Sequence, residues 1–362
     1  MQLSYLIMHL IFILNFYLTP AIMKKLALIW VCFILGISFG ICQDFDYSFS
    51  EKYSVTTPAH LSVSSSDGNI DVIPSTGNEI TVYYIASKNG KLLKIDRQEL
   101  EKEVILEVSQ SGSRLEINVR HKDNFSWWNM NQIDVSFKIY TPKETAGILH
   151  SSDGNISLAG LSGDQECKTS DGNIGISDVK GHATGITSDG NVKLSGIIGN
   201  VLVKTSDGNI NLVQIIGNLQ SSTSDGNITM NNITGDVQST TSDGSIKLSR
   251  VSGNSSARTS DGHISFEDLS GSLTAITSNG NIQGNIIKLV NQLTARTSDG
   301  NIDITVPGNL GLDLDIKGEL LNVPLNNFSG KSDEKAIIGK SNGGGISVNL
   351  EASDGNVTLV YK

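Results

Sequence analysis

Cysteine is scarce in this chain of 362 residues, and its placement excludes a disulfide framework. Cys32 and Cys42 lie in an apolar N-terminal region, so Cys167 is the single cysteine of the remaining chain. Without paired cysteines, the fold must be stabilised by packing and backbone hydrogen bonds. Small residues occupy the equivalent position of later repeats, which predicts that Cys167 is a buried apolar filler rather than a reactive thiol.

Proline and aromatic residues are also few, and basic runs are missing. The chain has 6 prolines against 37 glycines, a composition that suits many tight turns and excludes a disordered, proline-rich chain. The formal net charge is -10. An acidic chain without a basic patch is a poor partner for nucleic acid or anionic lipid, so we expect no nucleic-acid partner.

No apolar run long enough to cross a membrane follows residue 43. The N-terminus is different, because "MKKLALIWVCFILGISFGICQ" starts with two lysines, continues with an apolar stretch and ends in small residues. This is the layout of a secretory signal peptide. We interpret residues 1–42 as a targeting region, with the signal peptide at 23–42 and Met23 as the initiator. The chain is then expected at the cell surface, in the periplasm or outside the cell.

The processing of this N-terminus has several possible outcomes. Cleavage between Cys42 and Gln43 and cleavage after Gly40 both fit the small residues. Lipidation of Cys42 is disfavoured because Ile41 is bulky, and an uncleaved membrane anchor is a further alternative. A lipidated or uncleaved N-terminus would be the only contact with a membrane that we expect.

One short phrase, Ser-Asp-Gly or Ser-Asn-Gly, recurs at an interval of 18 residues. It begins at Ser152, Ser170, Ser188, Ser206, Ser224, Ser242, Ser260 and Ser278, then at Ser298, with outliers at Ser66 and Ser353. A second glycine series, from Gly163 to Gly271, follows the first by nine residues. Such a fixed short period indicates a solenoid in which each coil has two strand-and-turn halves.

The residues between the turns alternate in polarity, as strands with one buried face do. Ile210, Leu212 and Ile215 are the predicted core of one coil. The predicted fold is all-β: a single-stranded β-solenoid (β-helix) with 18-residue coils, right-handed as in related folds, and capped by short β segments at both ends. Single coils cannot bury their apolar face, so stacking is required.

Each turn residue has an expected local role. Gly208 is expected at positive φ, which a tight reversal needs. Asp207 is expected to accept the backbone N–H two residues on. Asn209 is expected to join Asn191 and Asn227 in an amide ladder.

The threonines that precede the turns form a further column. They are Thr169, Thr187, Thr205, Thr223, Thr241, Thr259, Thr277 and Thr297. The alternation places this column inward or at the corner, so an internal hydroxyl ladder is a better interpretation than an outward ice-binding array.

The flanking segments depart from the repeat and suggest a division of the chain. We predict an N-terminal β capping subdomain at 43–150, the 18-residue-repeat solenoid at 151–302, and C-terminal coils with a cap at 303–362. The strand ending in "KIYTP", the serial "SDGNI" turns and the closing "GGGISVNLEASDGNVTL" resemble the bacterial putative-adhesin family of unknown function, the domain of unknown function 4097 type, related to head domains of autotransporter adhesins. The resemblance covers nearly all of 43–362 and implies an exported β-solenoid. It implies no catalytic residues.

The turn aspartates should form an acidic column. They are Asp153, Asp171, Asp189, Asp207, Asp225, Asp243, Asp261 and Asp299. Neighbours would repel by roughly 1 kcal/mol per pair in water, and calcium would relieve this. A calcium-binding β-roll needs a G-G-x-G-x-D turn, however, and Asn279 replaces the aspartate of one repeat. We therefore expect solvated, turn-capping aspartates and no cofactor, with structural calcium as the alternative.

Catalytic patterns are weak in this sequence. A polysaccharide-cleaving β-helix needs clustered carboxylates in a groove with long loops, whereas these repeats keep one length. Arg250, Arg258 and Arg296 are expected to point outward, and the histidines have no metal-ligand spacing. We predict no enzyme, and a polysaccharide-active enzyme is the least favoured alternative.

One aromatic cluster follows the signal segment, "NFSWWNMN" at 124–131. Trp127 and Trp128 are neighbours, so in a strand only one of them could face inward. A loop that plugs the end of the solenoid is the favoured interpretation. The alternative makes Trp127 and Trp128 candidate partner-contact residues that stack on a sugar or anchor a partner.

The predicted function is an exported, non-enzymatic, adhesin-like binding or spacer module of the cell surface or envelope. Its expected partner is a surface glycan or an envelope protein of unknown identity. The alternative is an envelope-associated scaffold or stress-linked accessory that binds a protein partner.

Overall fold

The computed structural model describes residues 45–122 and 132–362. The predicted signal peptide and the segment with Trp127 and Trp128 lie outside these described residues, so those predictions stay predictions. Residues Tyr47–Lys362 form one compact unit. In the described ranges, no helix has the length and apolar character needed to cross a membrane.

Strands in positions 18 residues apart pair in parallel and in register. Ile210 pairs with Ile228, and Ile228 pairs with Ile246. Each apolar position is therefore covered by the same position of the next coil. The predicted all-β solenoid with 18-residue coils is confirmed, while its handedness stays a prediction.

The described strands and the helix have the following bounds. The N-terminal segment contains β1 (Phe49–Ser54), β2 (Ala59–Ser65), β3 (Ile70–Ser75), β4 (Glu79–Lys88), β5 (Lys91–Leu92), α1 (Arg97–Glu103), β6 (Val104–Ser111), β7 (Arg114–His121) and β8 (Asp134–Pro142). The repeat contains β9 (Thr145–Ser151), β10 (Ile156–Ala159), β11 (Gln165–Lys168), β12 (Ile174–Ser177), β13 (Ala183–Ile186), β14 (Val192–Ile198), β15 (Val201–Lys204), β16 (Ile210–Ile216), β17 (Leu219–Ser222), β18 (Ile228–Thr234), β19 (Val237–Thr240), β20 (Ile246–Ser252), β21 (Ser255–Arg258), β22 (Ile264–Ile276) and β23 (Ile282–Thr297). The C-terminal segment contains β24 (Ile302–Val306), β25 (Leu312–Lys317), β26 (Leu321–Asn322), β27 (Ser329–Ser332), β28 (Ala336–Ser341), β29 (Ile346–Ala352) and β30 (Val357–Tyr361).

These strands form two parallel stacks joined by the turns. Stack one follows the second glycine of each coil, and in the repeat it contains β9, β11, β13, β15, β17, β19 and β21. Stack two follows the Ser-Asp-Gly turn, and in the repeat it contains β10, β12, β14, β16, β18 and β20. The inner faces of the two stacks enclose the core.

The core has large aliphatic side chains on stack two and a mixture of aliphatic and small residues on stack one, such as Val203, Leu219 and Ala257. The predicted core residues Ile210, Leu212 and Ile215 are at most 1% exposed. Opposite them, Ser239 is fully buried and its hydroxyl donates to the sulfur of Met230 at 3.7 Å. Each fully buried aliphatic side chain contributes roughly 1.5–3 kcal/mol, so the stabilisation grows with every coil.

The glycine of the Ser-Asp-Gly turn has a different role from the expected one. Gly208 is not among the residues with positive φ, so that prediction is wrong. A Cβ atom on Gly208 would instead lie 1.9 Å from the carbonyl oxygen of Gly190 in the preceding coil. Glycine is required because two backbones touch there. Positive φ belongs to the second series, where Gly217 has φ 147.

A third bend lies between these two corners, and the sequence analysis missed it. It contains residues with positive φ: Gly160, Asp178, Gly196, Gln214, Asn232, Arg250 and Asp268. The left-handed conformation costs an L-residue about 1–2 kcal/mol, and Gly, Asn and Asp tolerate it best. Five of these seven positions hold Gly, Asn or Asp, which was a readable signal.

At each end of the solenoid, one coil has a place in the stack that differs from its place in the chain. The coil β2–β3 comes first in the chain, yet it lies between the coil β7–β8 and the coil β9–β10. The coil β29–β30 comes last, yet it lies between β23–β24 and β25–β26. Each end is therefore completed by chain segments that are distant in sequence.

Antiparallel strands then close both ends. At the N-terminal end, β6 pairs with β7, β4 pairs with β8, and β1 pairs with β4. At the C-terminal end, β28 pairs with β25 and β27 with β28. The predicted β caps at both ends are confirmed, while the predicted domain boundaries stay predictions.

We predict that Gly226→Ala destabilises the fold by about 3 kcal/mol or more, because its Cβ would lie 1.9 Å from the Gly208 carbonyl oxygen. Gly175→Ala is the matched control, since a Cβ there meets nothing within 4 Å. Urea unfolding of both variants measures the difference. Equal free energies of unfolding would contradict the backbone-contact explanation.

The Cys167 thiol is expected to be inert in the folded protein. The side chain is 0% exposed, and burial raises its pKa to about 12, with a further contribution from Glu166. We expect no reaction with a thiol reagent at neutral pH until denaturant is added, because the thiolate is the nucleophile. Fast labelling of the native chain at residue 167 would contradict this.

Candidate functional site: two side-chain ladders and a lateral groove

The threonine column ties each turn to the coil before it. The Thr223 hydroxyl lies 2.9 Å from the Ser206 carbonyl oxygen and 3.0 Å from that of Gly208, and it accepts the Gly226 N–H at 3.3 Å. The side chain is 7% exposed. The inward placement is confirmed, but the hydroxyls bond to backbone groups rather than to each other.

The predicted amide ladder is present, and we call it the turn ladder: Asn155, Asn173, Asn191, Asn209 and Asn227. The Asn191 side-chain oxygen accepts the Asn209 backbone N–H at 2.9 Å and its side-chain N–H at 3.2 Å. The Asn209 N–H is the group that Asp207 was expected to cap. That prediction is wrong, because the acceptor of this N–H is the Asn191 side chain of the preceding coil.

A second ladder lies at the opposite corner, directly after the second glycine, and we call it the groove ladder. It contains Asp164, His182, Asn200, Asn218, Asp236 and Asn254. Each side chain accepts the backbone N–H of the next member, as when Asn200 accepts from Asn218 at 3.0 Å. This ladder is hard to recognise in the sequence, because Asp, His and Asn act as equivalent acceptors although their side chains differ chemically.

The two ladders differ in what remains unbonded. In the turn ladder, the amide N–H groups donate to the preceding asparagine. In the groove ladder, Asn254 donates in the same way to Asp236 at 3.1 Å, whereas the side-chain N–H groups of Asn200 and Asn218 have no bonding partner in the part of the chain that the structure describes. These donors are exposed and available.

A shallow groove runs beside the groove ladder along stack one. One section of about 520 Å³ is lined by Asn200, Asn218, Gln220 and Gln238, together with the half-buried Leu202. Gln220 and Gln238 are exposed and pair in register on adjacent strands. Four amide side chains therefore face one groove at intervals of one coil.

The groove continues toward the N-terminal end as a second section of about 440 Å³, and both sections share His182 and Thr184. Its side chains include Asp164, Glu166 and Arg114. Glu166 forms an ion pair with Lys168, whose hydrogen bond lowers the pKa of Glu166. Carboxylates outnumber basic side chains in the groove, with Glu116, Asp164 and Glu166 in this second section and Asp236 in the first.

The acidic column at the other corner is exposed, as predicted. At its N-terminal end, Asp67 lies 2.5 Å from the His121 ring nitrogen. Burial raises the pKa of Asp153, and so does the proximity of Asp67 and Asp171. Among the described residues, no group of three or more His, Cys, Asp or Glu side chains is arranged to hold a metal ion. Structural calcium stays an untested alternative.

The remaining predicted residues are not brought together. Arg250, Arg258 and Arg296 are exposed, as expected, and Arg250 donates to the Asn231 side-chain oxygen at 2.6 Å. Trp127 and Trp128 lie outside the described residues, so their role as partner contacts stays a prediction.

The sequence profile of the family described as Toastrack DUF4097 matches residues 59–258 and 198–360. These matches span well over half of the chain, so it belongs to this family of unknown function. The predicted resemblance is confirmed. No match was found among the curated proteins.

Three solved structures are similar to the chain. A "putative adhesin" from Bacteroides fragilis is 15% identical, with a TM-score of 0.33, and the match covers 71% of this chain and 96% of that one. A "putative lipid binding protein" from Parabacteroides distasonis is 15% identical, with a TM-score of 0.35 and the same coverages, 71% and 96%. A "putative cell adhesion protein" from Clostridium sporogenes is 12% identical, with a TM-score of 0.17, covering 87% of this chain and 99% of that one. Likenesses this distant carry no weight for function.

We predict that Thr223→Val lowers the free energy of unfolding by about 1–3 kcal/mol, because the buried Gly226 N–H and Gly208 carbonyl lose their partner. Thr223→Ser is the matched control, since Ser151 makes the two equivalent contacts at its own turn, with the Gly68 carbonyl oxygen and the Gly154 N–H. Serine should retain most of the stability in chemical unfolding. A valine variant as stable as the serine variant would show that the hydroxyl is dispensable.

Proposed function

We propose that this protein is an exported, non-enzymatic β-solenoid that acts as an adhesin-like binding or spacer module at the cell surface or envelope. The observation that carries the proposal is that the repeated polar groups form hydrogen bonds between coils. The threonines and the turn ladder bond one coil to the next, as Thr205 does to Gly190 and Asn227 does to Asn209. Groups committed in this way build a rigid stack rather than a reaction centre.

The outward positions of the stack support a binding role. They differ between coils, as Thr184, Leu202 and Gln220 do on stack one, while the inner positions stay small or aliphatic. At about 4.8 Å per coil, the stacked strands extend on the order of 60 Å. A rigid surface of this length suits a spacer or a contact with an extended partner.

The position at which the chain enters the folded unit fits a spacer that is tethered at one end. Strand β1 is the outermost strand of the β3–β8–β4–β1 series, so the chain enters the folded unit at one end of the stack. A lipidated or uncleaved N-terminus would then hold the protein at that end of the stack.

The export half of the proposal is tested by cell fractionation with surface labelling of intact cells. We expect the chain in the envelope or outside the cell, labelled, and with its N-terminal segment removed or lipidated. The double substitution Ile34→Asp and Leu35→Asp should retain the chain in the cytoplasm, because charges interrupt the apolar stretch. The conservative pair Ile34→Val and Leu35→Ile is the control. A wild-type chain found in the cytoplasm with residues 1–42 intact would overturn the proposal.

The alternative, an envelope-associated scaffold or stress-linked accessory, predicts a different result in the same experiment. Such a protein would be recovered with the envelope and stay unlabelled on intact cells. A labelled chain supports the adhesin-like role.

A further inference from the structure

We propose that the groove beside the groove ladder binds an extended, uncharged polysaccharide that runs along the solenoid axis across successive coils. This rests on the proposed function and adds the binding surface and the class of ligand. The first observation is the set of unused amide groups. Asn200 and Asn218 use their side-chain oxygens within the ladder and keep their N–H donors exposed.

Gln220 and Gln238 extend this set on the adjoining strands. Both line the same groove, both are exposed, and no hydrogen bond holds either side chain within the described ranges. A side-chain amide offers two donors and an acceptor, which matches the mixed donor and acceptor character of sugar hydroxyls. The same kind of group is thus presented on successive coils, as a polymer of one repeating polar unit requires.

The charge of the groove selects among polymers. The carboxylates of Glu116, Asp164, Glu166 and Asp236 line it, with Arg114 as the arginine at its N-terminal end. An acidic groove in a chain of net charge -10 repels anionic polysaccharides and nucleic acids. A neutral polymer carries no such penalty.

The floor of the groove disfavours a peptide. Peptides commonly bind by adding a strand to a free sheet edge. The strands beneath this groove, β15, β17 and β19, are each paired on both sides with the coils above and below. Their backbone groups are therefore occupied, and recognition is left to the outward amide and hydroxyl side chains.

The length of the groove sets the size of the probe. Its two sections extend from β7 to β19, which at about 4.8 Å per strand is on the order of 30 Å. Several sugar units of a linear chain fit along this distance, so many weak hydrogen bonds can add up where no single contact is strong.

The test uses the full chain and calorimetric titration with neutral, linear β-linked hexasaccharides of glucose, mannose and xylose, and with polygalacturonate as the anionic polymer. We expect at least one neutral hexasaccharide to bind and polygalacturonate to fail. The double variant Gln220→Ala and Gln238→Ala should weaken binding about tenfold or more, since it removes two amide contacts. The control is Asn211→Ala with Thr229→Ala, an exposed, in-register pair on stack two, which should bind like the wild type.

Three results would overturn the inference: no neutral hexasaccharide binds, the groove variant binds as well as the control variant, or polygalacturonate competes for the site. These are separate from the export experiment. A labelled surface protein whose groove variant binds normally keeps the proposed function and removes the groove. A cytoplasmic chain that binds the hexasaccharide through Gln220 and Gln238 keeps the groove and removes the proposed function.

Discussion

The constraint on which the whole structure depends is the contact between backbones at the Ser-Asp-Gly corner. Each corner glycine lies against the carbonyl of the glycine one coil earlier, at a distance that leaves no room for a Cβ atom. This contact keeps consecutive coils at one strand spacing and in register. The aliphatic columns, the threonine hydroxyls and both ladders depend on that register, because each joins equivalent positions of neighbouring coils.

The sequence alone predicted much of the fold, for a physical reason. A period of 18 residues and the alternation around Ile210 and Leu212 are consequences of stacking itself, so the solenoid, its core and its caps could be inferred. The errors arose where a residue acts on another coil. Gly208 and Asp207 were assigned roles from local turn chemistry. Gly208 instead lies against the Gly190 carbonyl, and the Asn209 N–H that Asp207 was expected to cap donates to the Asn191 side chain. The sequence of a single turn does not show which atoms of the neighbouring coil contact it.

The groove ladder shows the same limit of prediction from the sequence. The turn ladder was predictable because its five members are all asparagine, whereas the groove ladder changes between aspartate, histidine and asparagine. These residues are equivalent only as acceptors of a backbone N–H. The unused donors of Asn200 and Asn218 could not be seen in the sequence, because availability depends on which atoms the neighbouring coil has already engaged.

The coil β29–β30, last in the chain but not last in the stack, has a consequence for synthesis. Residues 312–341 are made before this coil, yet they reach the solenoid only through it, since β25 pairs with β29 and β26 with β30. Until β29 and β30 have been synthesised, β23 and β24 therefore present open edges. Only a chain that extends through β30 can close them, so a polypeptide terminated before this coil would be left with unpaired strands, prone to aggregation.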